Sequence, residues 1–570
     1  MLSTGDKVYK AKQFRNELNY LKLSTDYIVC FITLCIDHLK MLITFLTAAA
    51  SILATAVAAP NGAYSCANIP APKVHGAKVL SIESKERHNF TVSATPPLLL
   101  DDVPNLSICD VNVTLSHLNT GDKVVVQVWL PLKKWNGRFV ATGGTAWAAG
   151  IGQYALAPEV AQDSVAAATD AGVSGELLTP GLWALDAKGK VNYNLLINFA
   201  SRSIHDMAVV AKAVTQSFYG KQPKYSYWNG CSTGGRQGLV AAQEYPKDFD
   251  GILAGAPAIS WDKYVVAEHW PQVVMKEAGY FPSHCELDAI SQAAIAACDE
   301  IDGVKDGVIS NLAACRFDPF TAVGKRSQCE GQEIVISRTV ALIVKKIWAG
   351  PKDAHGNQLW DGLTMGAPMT SLADTTPSGT SGALTGTPFF VSDTWIRYYL
   401  KTDPNFNTST IDSAELTKLF SESVHKYSGI IGSDDADLSG LRKSGGKLLV
   451  WQGGSDPLIF PQGTARYRER VEKRMGGHAE DVDNFFRLFF APGVDHCGQG
   501  TTIGAIPSNP FGALISWVED GKAPDTLPAS TPAKAKIQFT RNVCKYPLVS
   551  KYRGSGDPNS AENFDCVKHY

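Results

Sequence analysis

The sequence has no long run of charge of one sign. Its 53 lysines and arginines nearly balance its 55 aspartates and glutamates, and the formal net charge is -2. Binding of nucleic acid or of an anionic membrane surface through charge needs a basic patch or tail. The charge balance therefore points to neither partner. Internal repeats and long low-complexity tracts are also missing, and a hydrophobic share of 45% is ordinary for a globular protein.

The cysteines lack the Cys-x2-Cys spacing of a zinc site, although there are 12 of them. Two precede a predicted signal-peptide cleavage site after Ala59, which leaves an even number, ten. Five disulfides formed in an oxidising compartment would use them all. The ten are Cys66, Cys109, Cys231, Cys285, Cys298, Cys315, Cys329, Cys497, Cys544 and Cys566.

The N-terminal region carries the export signal. Residues 41–59 contain an apolar stretch followed by Val57-Ala58-Ala59, the small-residue pattern of signal-peptide cleavage. A transmembrane anchor is the alternative, but no charged stop-transfer flank follows the stretch. Residues 1–40 are unusual in front of such a signal, and we interpret them as a doubtful extension, with Met41 as the true start. We therefore expect a secreted protein with no membrane contact after cleavage.

Glycosylation sequons agree with export, although single sequons arise often by chance. The four candidate acceptors are Asn89, Asn105, Asn112 and Asn407.

The order of predicted elements indicates an α/β fold. Short β-rich runs alternate with helical patterns up to about residue 257, and strand patterns return at 445. Such alternation is typical of a parallel sheet flanked by helices. Between these parts, helices, loops and Thr/Ser/Gly-rich stretches predominate. We therefore predict one α/β core, residues 60–257 and 445–570, interrupted by a large insertion at 258–444.

The segment Gly230-Cys231-Ser232-Thr233-Gly234 matches the pattern G-x-S-x-G between a predicted strand and a predicted helix. A nucleophile elbow requires this context, because the turn that exposes the serine is tight. An ordinary strand-to-helix turn is the alternative. The segment makes Ser232 the candidate nucleophile of a hydrolase.

A serine hydroxyl needs a base, and the base needs an orienting carboxylate. Asp456 and His496 each follow a predicted strand, in the chain order Ser, Asp, His that α/β-hydrolases use. Asp495, beside His496, competes for the role of the acid. We assign the acid to Asp456, because a loop after its own strand approaches the imidazole from a different direction.

Two cysteines stand next to the candidate catalytic residues. Cys231 directly precedes Ser232, and Cys497 directly follows His496. A disulfide holds its two Cα atoms about 4.4–6.8 Å apart. A Cys231–Cys497 bond would therefore force Ser232 and His496 close together. Pairing of each with some other cysteine is the alternative.

Ester hydrolysis also needs two N–H donors for the oxyanion. One is expected at Thr233, directly after the nucleophile. The second is expected in the loop "ATGGTAWAAG" that follows an early strand. We assign it to Gly144, with Gly143 and Thr145 as alternatives.

The combination "GCSTGGRQG", "GGSDP" and "DHCG" resembles the fungal tannase and feruloyl esterase family over nearly all of residues 60–570. The resemblance implies an α/β-hydrolase core with an inserted lid domain, which is residues 258–444 here. It also implies that Ser232, Asp456 and His496 form the triad and that a disulfide joins the cysteines beside the serine and the histidine. For the other cysteines we expect the pairs Cys298–Cys315, Cys285–Cys329, Cys66–Cys109 and Cys544–Cys566, although sequence does not exclude other connectivities.

The insertion contains "CDEIDGVKDGVIS", in which three aspartates lie within eight residues. Carboxylates gathered by glycine turns suit a hard cation, but an acidic surface loop is an equal alternative on the residues alone. The resemblance favours structural Ca²⁺, because lids of this family bind calcium through such aspartates and two backbone carbonyls. The implied ligands are Asp299, Asp302, Val304, Asp306 and Val308.

We therefore expect a secreted serine carboxylic-ester hydrolase. The resemblance implies phenolic esters from plant material as substrates, with feruloyl-type hydroxycinnamates favoured slightly over gallates. Esters of other aromatic acids are the alternative within this class. A catalytically silent hydrolase-like binding module is the alternative from another class, but no member of the triad is missing.

Overall fold

The structure, a computed structural model, describes residues 65–329, 331–379, 382–500 and 502–568, so the predicted extension and signal peptide lie outside the described residues. In chain order, the strands are β1 (Ala77–Val92), β2 (Val103–His117), β3 (Val124–Pro131), β4 (Arg138–Thr142), β5 (Val165–Thr169), β6 (Tyr225–Cys231), β7 (Gly251–Gly255), β8 (Arg326–Cys329), β9 (Gln332–Val335), β10 (Thr375–Ser378), β11 (Ala383–Gly386), β12 (Lys447–Gly453), β13 (Phe486–Ala491), β14 (Ile506–Pro507), β15 (Thr526–Ser530), β16 (Thr540–Cys544), β17 (Val549–Tyr552) and β18 (Phe564–Val567).

The helices surround these strands, and none in the described part of the chain is long and apolar enough to cross a membrane. The α-helices are α1 (Gln153–Val160), α2 (Tyr193–Ile197), α3 (Ser203–Tyr219), α4 (Thr233–Glu244), α5 (Trp261–Ala267), α6 (Trp270–Ala278), α7 (His284–Cys298), α8 (Arg338–Ala349), α9 (Phe390–Trp395), α10 (Ser413–Ile431), α11 (Ser439–Ser444), α12 (Pro461–Arg474), α13 (Ala479–Asp483) and α14 (Pro510–Asp520). Short 3-10 or π-helical turns are Asn198–Arg202, Asp299–Asp302, Pro319–Ala322, Ile396–Leu400, Thr408–Thr410, His496–Gly498 and Ala561–Asn563.

Nine strands form the central sheet, in the order β1-β2-β3-β5-β4-β6-β7-β12-β13. The six strands from β5 to β13 run parallel, as the alternating pattern predicts. The other three pair antiparallel, so the sheet is mixed rather than parallel throughout. The edge strand β1 was not predicted, because its charged sequence is largely exposed and shows no apolar alternation.

The parallel strands bring the candidate triad to one edge of the sheet. Ser232 directly follows β6, and Asp456 and His496 lie in the loops after β12 and β13. The carboxyl ends of parallel strands meet at the same edge of the sheet, where α/β folds bind ligands. Three residues that are far apart in sequence therefore converge.

The segment between β7 and β12 adds no strand to the central sheet within its described residues. It packs on the core through a buried aromatic cluster centred on Trp147, which follows β4. The Trp147 ring lies 5.3 Å from that of Trp261 and 5.8 Å from that of Tyr399, and its indole N–H donates to Thr394 Oγ1 at 2.9 Å. The inserted segment is thus anchored on the loop in which we predicted an oxyanion donor.

A buried ionic network, unpredicted from sequence, joins the end of β2, the loop that follows it and α3. His117 Nδ1 lies 2.7 Å from Asp122 Oδ2, and His117 Nε2 lies 2.8 Å from Asp206 Oδ2. All three residues are buried. The hydrogen bond to Asp206 raises the pKa of His117 against the opposing effect of burial. Because both ring nitrogens face carboxylates, the arrangement favours the imidazolium form of His117, in which both nitrogens donate.

We expect His117→Gln to lower the free energy of unfolding by about 3–5 kcal/mol near pH 6, because it removes the cation that pairs with buried Asp206. Asp122 would keep only the more distant Arg202 as a cationic partner, at 3.8 Å. His117 has a raised folded-state pKa, so its contribution is complete below its unfolded pKa of about 6.5 and is lost as the pH rises through the folded value. The difference between the two proteins in urea unfolding should therefore narrow with rising pH.

The matched control is His205→Gln. His205 contacts one carboxylate, Asp248, at 2.7 Å, and 41% of its side chain is exposed. Exposed pairs contribute only about 0–1 kcal/mol. Equal losses in the two variants would contradict the account of the buried network.

Candidate active site

Ser232 lies in a strained turn between β6 and α4. Its φ of 64° and ψ of −123° are unusual for a residue with a side chain, and such strain is often found at functional sites. The backbone N–H of Ser232 donates to Gly255 O at 3.0 Å, which fixes the turn against β7. A Cβ atom on Gly230 would lie 2.7 Å from the carbonyl group of Gly234, so only glycine fits there. The local geometry is that of a nucleophile elbow.

The histidine contacts Asp456. His496 Nδ1 donates to Asp456 Oδ2 at 2.9 Å, and Asp456 is fully buried. Asp456 Oδ1 accepts the backbone N–H groups of Leu458 and Ile459, both at 2.9 Å. These bonds fix the carboxylate, which in turn orients the imidazole so that Nε2 is left for proton transfer. The competing Asp495 is also buried, but the carboxylate that pairs with His496 is that of Asp456.

A disulfide ties the two halves of the site together. It joins Cys231 to Cys497 with a Cα–Cα distance of 6.1 Å, across 266 positions of sequence. Ser232 and His496 are the residues next to these cysteines, so the bond restrains their separation. The other expected pairs are also joined, namely Cys66–Cys109, Cys285–Cys329, Cys298–Cys315 and Cys544–Cys566.

The loop after β4 corrects our assignment of the second oxyanion donor. The N–H of Gly144 donates to Gln237 Oε1 at 2.9 Å, so it is already engaged within the protein. The alternatives Gly143 and Thr145 donate to the carbonyls of Asn229 and Ala148. The local pattern could not show this, because Gln237 lies 93 positions from Gly144.

Ala146 is the residue of this loop that sequence reasoning missed. It has a φ of 45°, and its carbonyl accepts the hydroxyl of Thr233 at 2.8 Å. Among the described residues, no hydrogen bond uses the N–H of Ala146 or that of Thr233. The N–H groups of Ala146, in the loop, and of Thr233, at the start of α4, are therefore the candidate donors for an oxyanion. The two residues are in contact, because the Thr233 hydroxyl bonds to Ala146 O.

The three aspartates of the acidic loop are buried together. Asp299 accepts the backbone N–H groups of Gly307 and Val308, and Asp306 Oδ2 pairs with Arg541 at 2.6 Å. Burial raises the pKa of Asp306 to about 6, and repulsion by the other two aspartates adds to burial. Asp302 Oδ2 is buried without a hydrogen-bond partner.

The donor chemistry of this loop fits a hard cation, because it gathers three buried carboxylates and one unpartnered oxygen. The coordination shell is not preformed. Across the described ranges, no group of three or more His, Cys, Asp or Glu side chains is arranged as a metal site. Ion binding would therefore require the carboxylates to turn toward a common centre.

The predicted glycosylation sequons lie mostly at the surface. Asn89, Asn105 and Asn407 are exposed, whereas Asn112, within β2, is half-buried. Asn112 is the least accessible of the four acceptors. Glycosylation of these asparagines remains a prediction.

Comparison with known proteins identifies the class of this site. A model of the family described as "Tannase and feruloyl esterase" matches residues 109–567. The chain belongs to this family. A relative from Arthroderma benhamiae, named "Probable feruloyl esterase", is 49% identical over 535 residues, which are 93% of this chain and 99% of the relative.

Solved structures of the family agree with the fold. The tannin acyl hydrolase from Aspergillus niger superposes with a TM-score of 0.78 at 26% identity, over 87% of this chain and 92% of that one. The feruloyl esterase B from Aspergillus oryzae gives a TM-score of 0.71 at 25% identity, over 87% and 97%. The predicted α/β-hydrolase fold is confirmed, and the chain is a carboxylic ester hydrolase. The catalytically silent alternative is therefore wrong.

Proposed function

We propose that this chain is a secreted serine esterase that cleaves phenolic esters through Ser232, His496 and Asp456. The observation that carries the proposal is the Asp456–His496 hydrogen bond at the sheet edge where Ser232 occupies a strained elbow. The five disulfides support secretion, since such bonds persist in oxidising compartments. The signal peptide at 41–59 remains a prediction, and N-terminal sequencing of the secreted protein should find Pro60 first.

In the proposed mechanism, Ser232 Oγ attacks the ester carbonyl while His496 Nε2 takes its proton. The carbonyl oxygen becomes an oxyanion, which the N–H groups of Thr233 and Ala146 stabilise. As the tetrahedral intermediate collapses, His496 returns the proton to the leaving alcohol. Water repeats the sequence on the acyl-enzyme and releases the acid. Asp456 stays ionised throughout and stabilises the imidazolium.

For the acyl group, we favour hydroxycinnamates over gallates. The relative from Arthroderma benhamiae is named "Probable feruloyl esterase", whereas a structural neighbour is a tannin acyl hydrolase. A galloyl pocket must satisfy three adjacent hydroxyls, and each buried polar group left unpaired costs about 1–3 kcal/mol. A feruloyl pocket must instead leave room for a methoxy group and a longer chain. We infer that the inserted lid, residues 258–444, makes this selection.

We expect kcat/KM to be at least about tenfold higher for methyl ferulate or methyl caffeate than for methyl gallate, which corresponds to about 1.4 kcal/mol. The measurement is a comparison of these three esters with methyl butyrate, on one preparation titrated for active sites. A preference for gallate would reverse the choice of acyl group. A preference for butyrate would contradict the phenolic-ester assignment itself.

We also propose that the acidic loop of the lid binds Ca²⁺ as a structural ion. The side chains of Asp299, Asp302 and Asp306 and the carbonyls of Val304 and Val308 would hold it. The buried, unpartnered Asp302 Oδ2 supports this proposal, because a cation would satisfy it. The ion would neutralise carboxylates that repel each other, and none of these ligands belongs to the triad.

Chelation should therefore lower Tm by several degrees without preventing turnover of the protein that remains folded. An ion present at a hundred times its Kd contributes about 2.7 kcal/mol. Asp302→Asn should reproduce the loss and abolish the response of Tm to calcium. Glu300→Gln is the control, because Glu300 lies in the same loop but its side chain is 67% exposed. Elemental analysis that finds no calcium in unchelated protein would contradict the site.

A further inference from the structure

We propose that Gln237 is a positioning residue for ester hydrolysis, because its side chain clamps the loop that supplies the second oxyanion donor. Gln237 lies one turn after Ser232 on α4 and is fully buried. Its side chain bonds to the backbone of Gly144 and Ala149 rather than to the triad, and in the proposed mechanism it does not bind the substrate. The inference rests on the proposed function, since it assigns the loop after β4 to the oxyanion.

The clamp holds both ends of a short turn. Gln237 Oε1 accepts the N–H of Gly144 at 2.9 Å, and Gln237 Nε2 donates to Ala149 O at 2.9 Å. Between these ends, Thr145 and Ala148 exchange two hydrogen bonds, of 3.1 Å and 2.9 Å, which close a turn around Ala146. One side chain therefore fixes the base of the turn that carries the proposed donor.

Two further contacts fasten the same loop to the start of α4. The N–H of Gly234 donates to Gly144 O at 3.0 Å, and the Thr233 hydroxyl donates to Ala146 O at 2.8 Å. The loop and the helix approach so closely that a Cβ on Gly234 would lie 3.1 Å from Gly143 Cα. The two proposed oxyanion donors are thus held on one rigid unit.

The role requires a carboxamide. At one end the side chain must accept from an N–H, and at the other it must donate to a carbonyl, which glutamine does with its two terminal atoms. Methionine has a similar length and does neither. An ionised glutamate accepts at both ends, so it would repel Ala149 O. A protonated glutamate reproduces both hydrogen bonds, because its carbonyl accepts and its hydroxyl donates.

The test begins with Gln237→Met, assayed on the best ester with active sites titrated. We expect kcat to fall about ten- to hundredfold while KM changes less than about threefold, because oxyanion contacts strengthen only in the transition state. Gln243→Met is the matched control. Gln243 lies on the same helix, and its amide donates to Ser433 O and to the Tyr467 hydroxyl, both at 3.0 Å, rather than to the loop after β4. It should lower Tm but keep kcat per active site within about threefold.

Gln237→Glu provides a second test, the pH dependence of kcat. A purely structural role of Gln237 would not change this dependence, and the test does not require the methionine variant to fold. The ratio of its kcat to that of the wild type should rise at least about tenfold as the pH falls and the carboxyl becomes protonated. The inference is overturned by a kcat ratio that is independent of pH, by a methionine variant as active as the wild type, or by equal kcat losses in the two methionine variants.

Labelling with a fluorophosphonate distinguishes an error in the proposed function from an error in the role of Gln237. A fluorophosphonate probe should label Ser232 of the wild-type protein, and both Gln237 variants should be labelled at the same residue but more slowly. Wild-type protein that turns over ester without being labelled at Ser232 contradicts the triad. Normal labelling rates in both variants contradict the clamp alone.

Discussion

Replacing Ser232 with alanine is expected to lower kcat by about 10⁴-fold or more while Tm stays within a few degrees of the wild type. The substitution removes the oxygen that forms the acyl-enzyme, and triad members act as a unit. The strained backbone is unaffected, because alanine meets the same steric cost at a φ of 64° as serine does. Release of ferulate from methyl ferulate, with Tm measured on the same sample, checks the prediction.

Ser260→Ala is the control for this substitution. Ser260, like Ser232, is a serine with a positive φ, 57°, but it is buried at the start of α5 and donates to Asp434 Oδ2 at 3.0 Å. We expect it to retain activity per folded molecule and to be labelled by a fluorophosphonate at the wild-type rate. Comparable losses of kcat in both variants would indicate that Ser232 acts through backbone structure rather than as the nucleophile.

Replacing Cys231 and Cys497 together with alanine should cost both stability and activity. The disulfide closes a loop of 266 positions, for which chain entropy sets a stabilisation of about 5 kcal/mol. It also restrains the separation of Ser232 and His496, and a 1 Å misplacement of catalytic groups costs about 10²-fold in rate. We expect urea unfolding to shift to lower concentration, and kcat of the remaining folded protein to fall by about 10²-fold.

The Cys66–Cys109 pair is the matched control, because it closes 43 positions at the far side of the sheet. Its removal should cost roughly 1.5 kcal/mol less than removal of Cys231–Cys497, and kcat of the folded protein should be unchanged. If the double variant at 231 and 497 keeps full kcat below its unfolding transition, the disulfide serves stability alone.

Most of the elements that could be predicted from the sequence are marked by short apolar runs or by local turn residues. The runs that form β7, β12 and β13 are short and hydrophobic, and each is buried in the parallel part of the sheet, whereas β6 is buried at its centre. The elbow was readable because its glycines, its serine and its strand–helix context lie within a few residues. Asp456 and His496 were readable because each follows its own strand.

The parts that escaped prediction depend on long-range contacts. The glycines of the loop after β4 can be read from the local sequence, and they led to the assignment of Gly144 as an oxyanion donor. Its hydrogen-bond partner Gln237 lies on another element, so the local sequence could not show that the Gly144 N–H is already used. The His117 network joins residues up to 89 positions apart, and no periodicity marks it. The proposed acyl specificity belongs to the same group, because we assign it to the inserted segment, whose sequence pattern is the weakest in the chain.

The central claim is that Ser232 is the nucleophile of an ester hydrolase and is held beside His496 by the Cys231–Cys497 bond. The most direct test is non-reducing peptide mapping of active enzyme after inactivation with a fluorophosphonate. The account predicts a single phosphonyl group on Ser232, in a peptide joined through Cys231 to the peptide that contains His496 and Cys497. A label on another residue, or a free thiol at either cysteine in active protein, would contradict it.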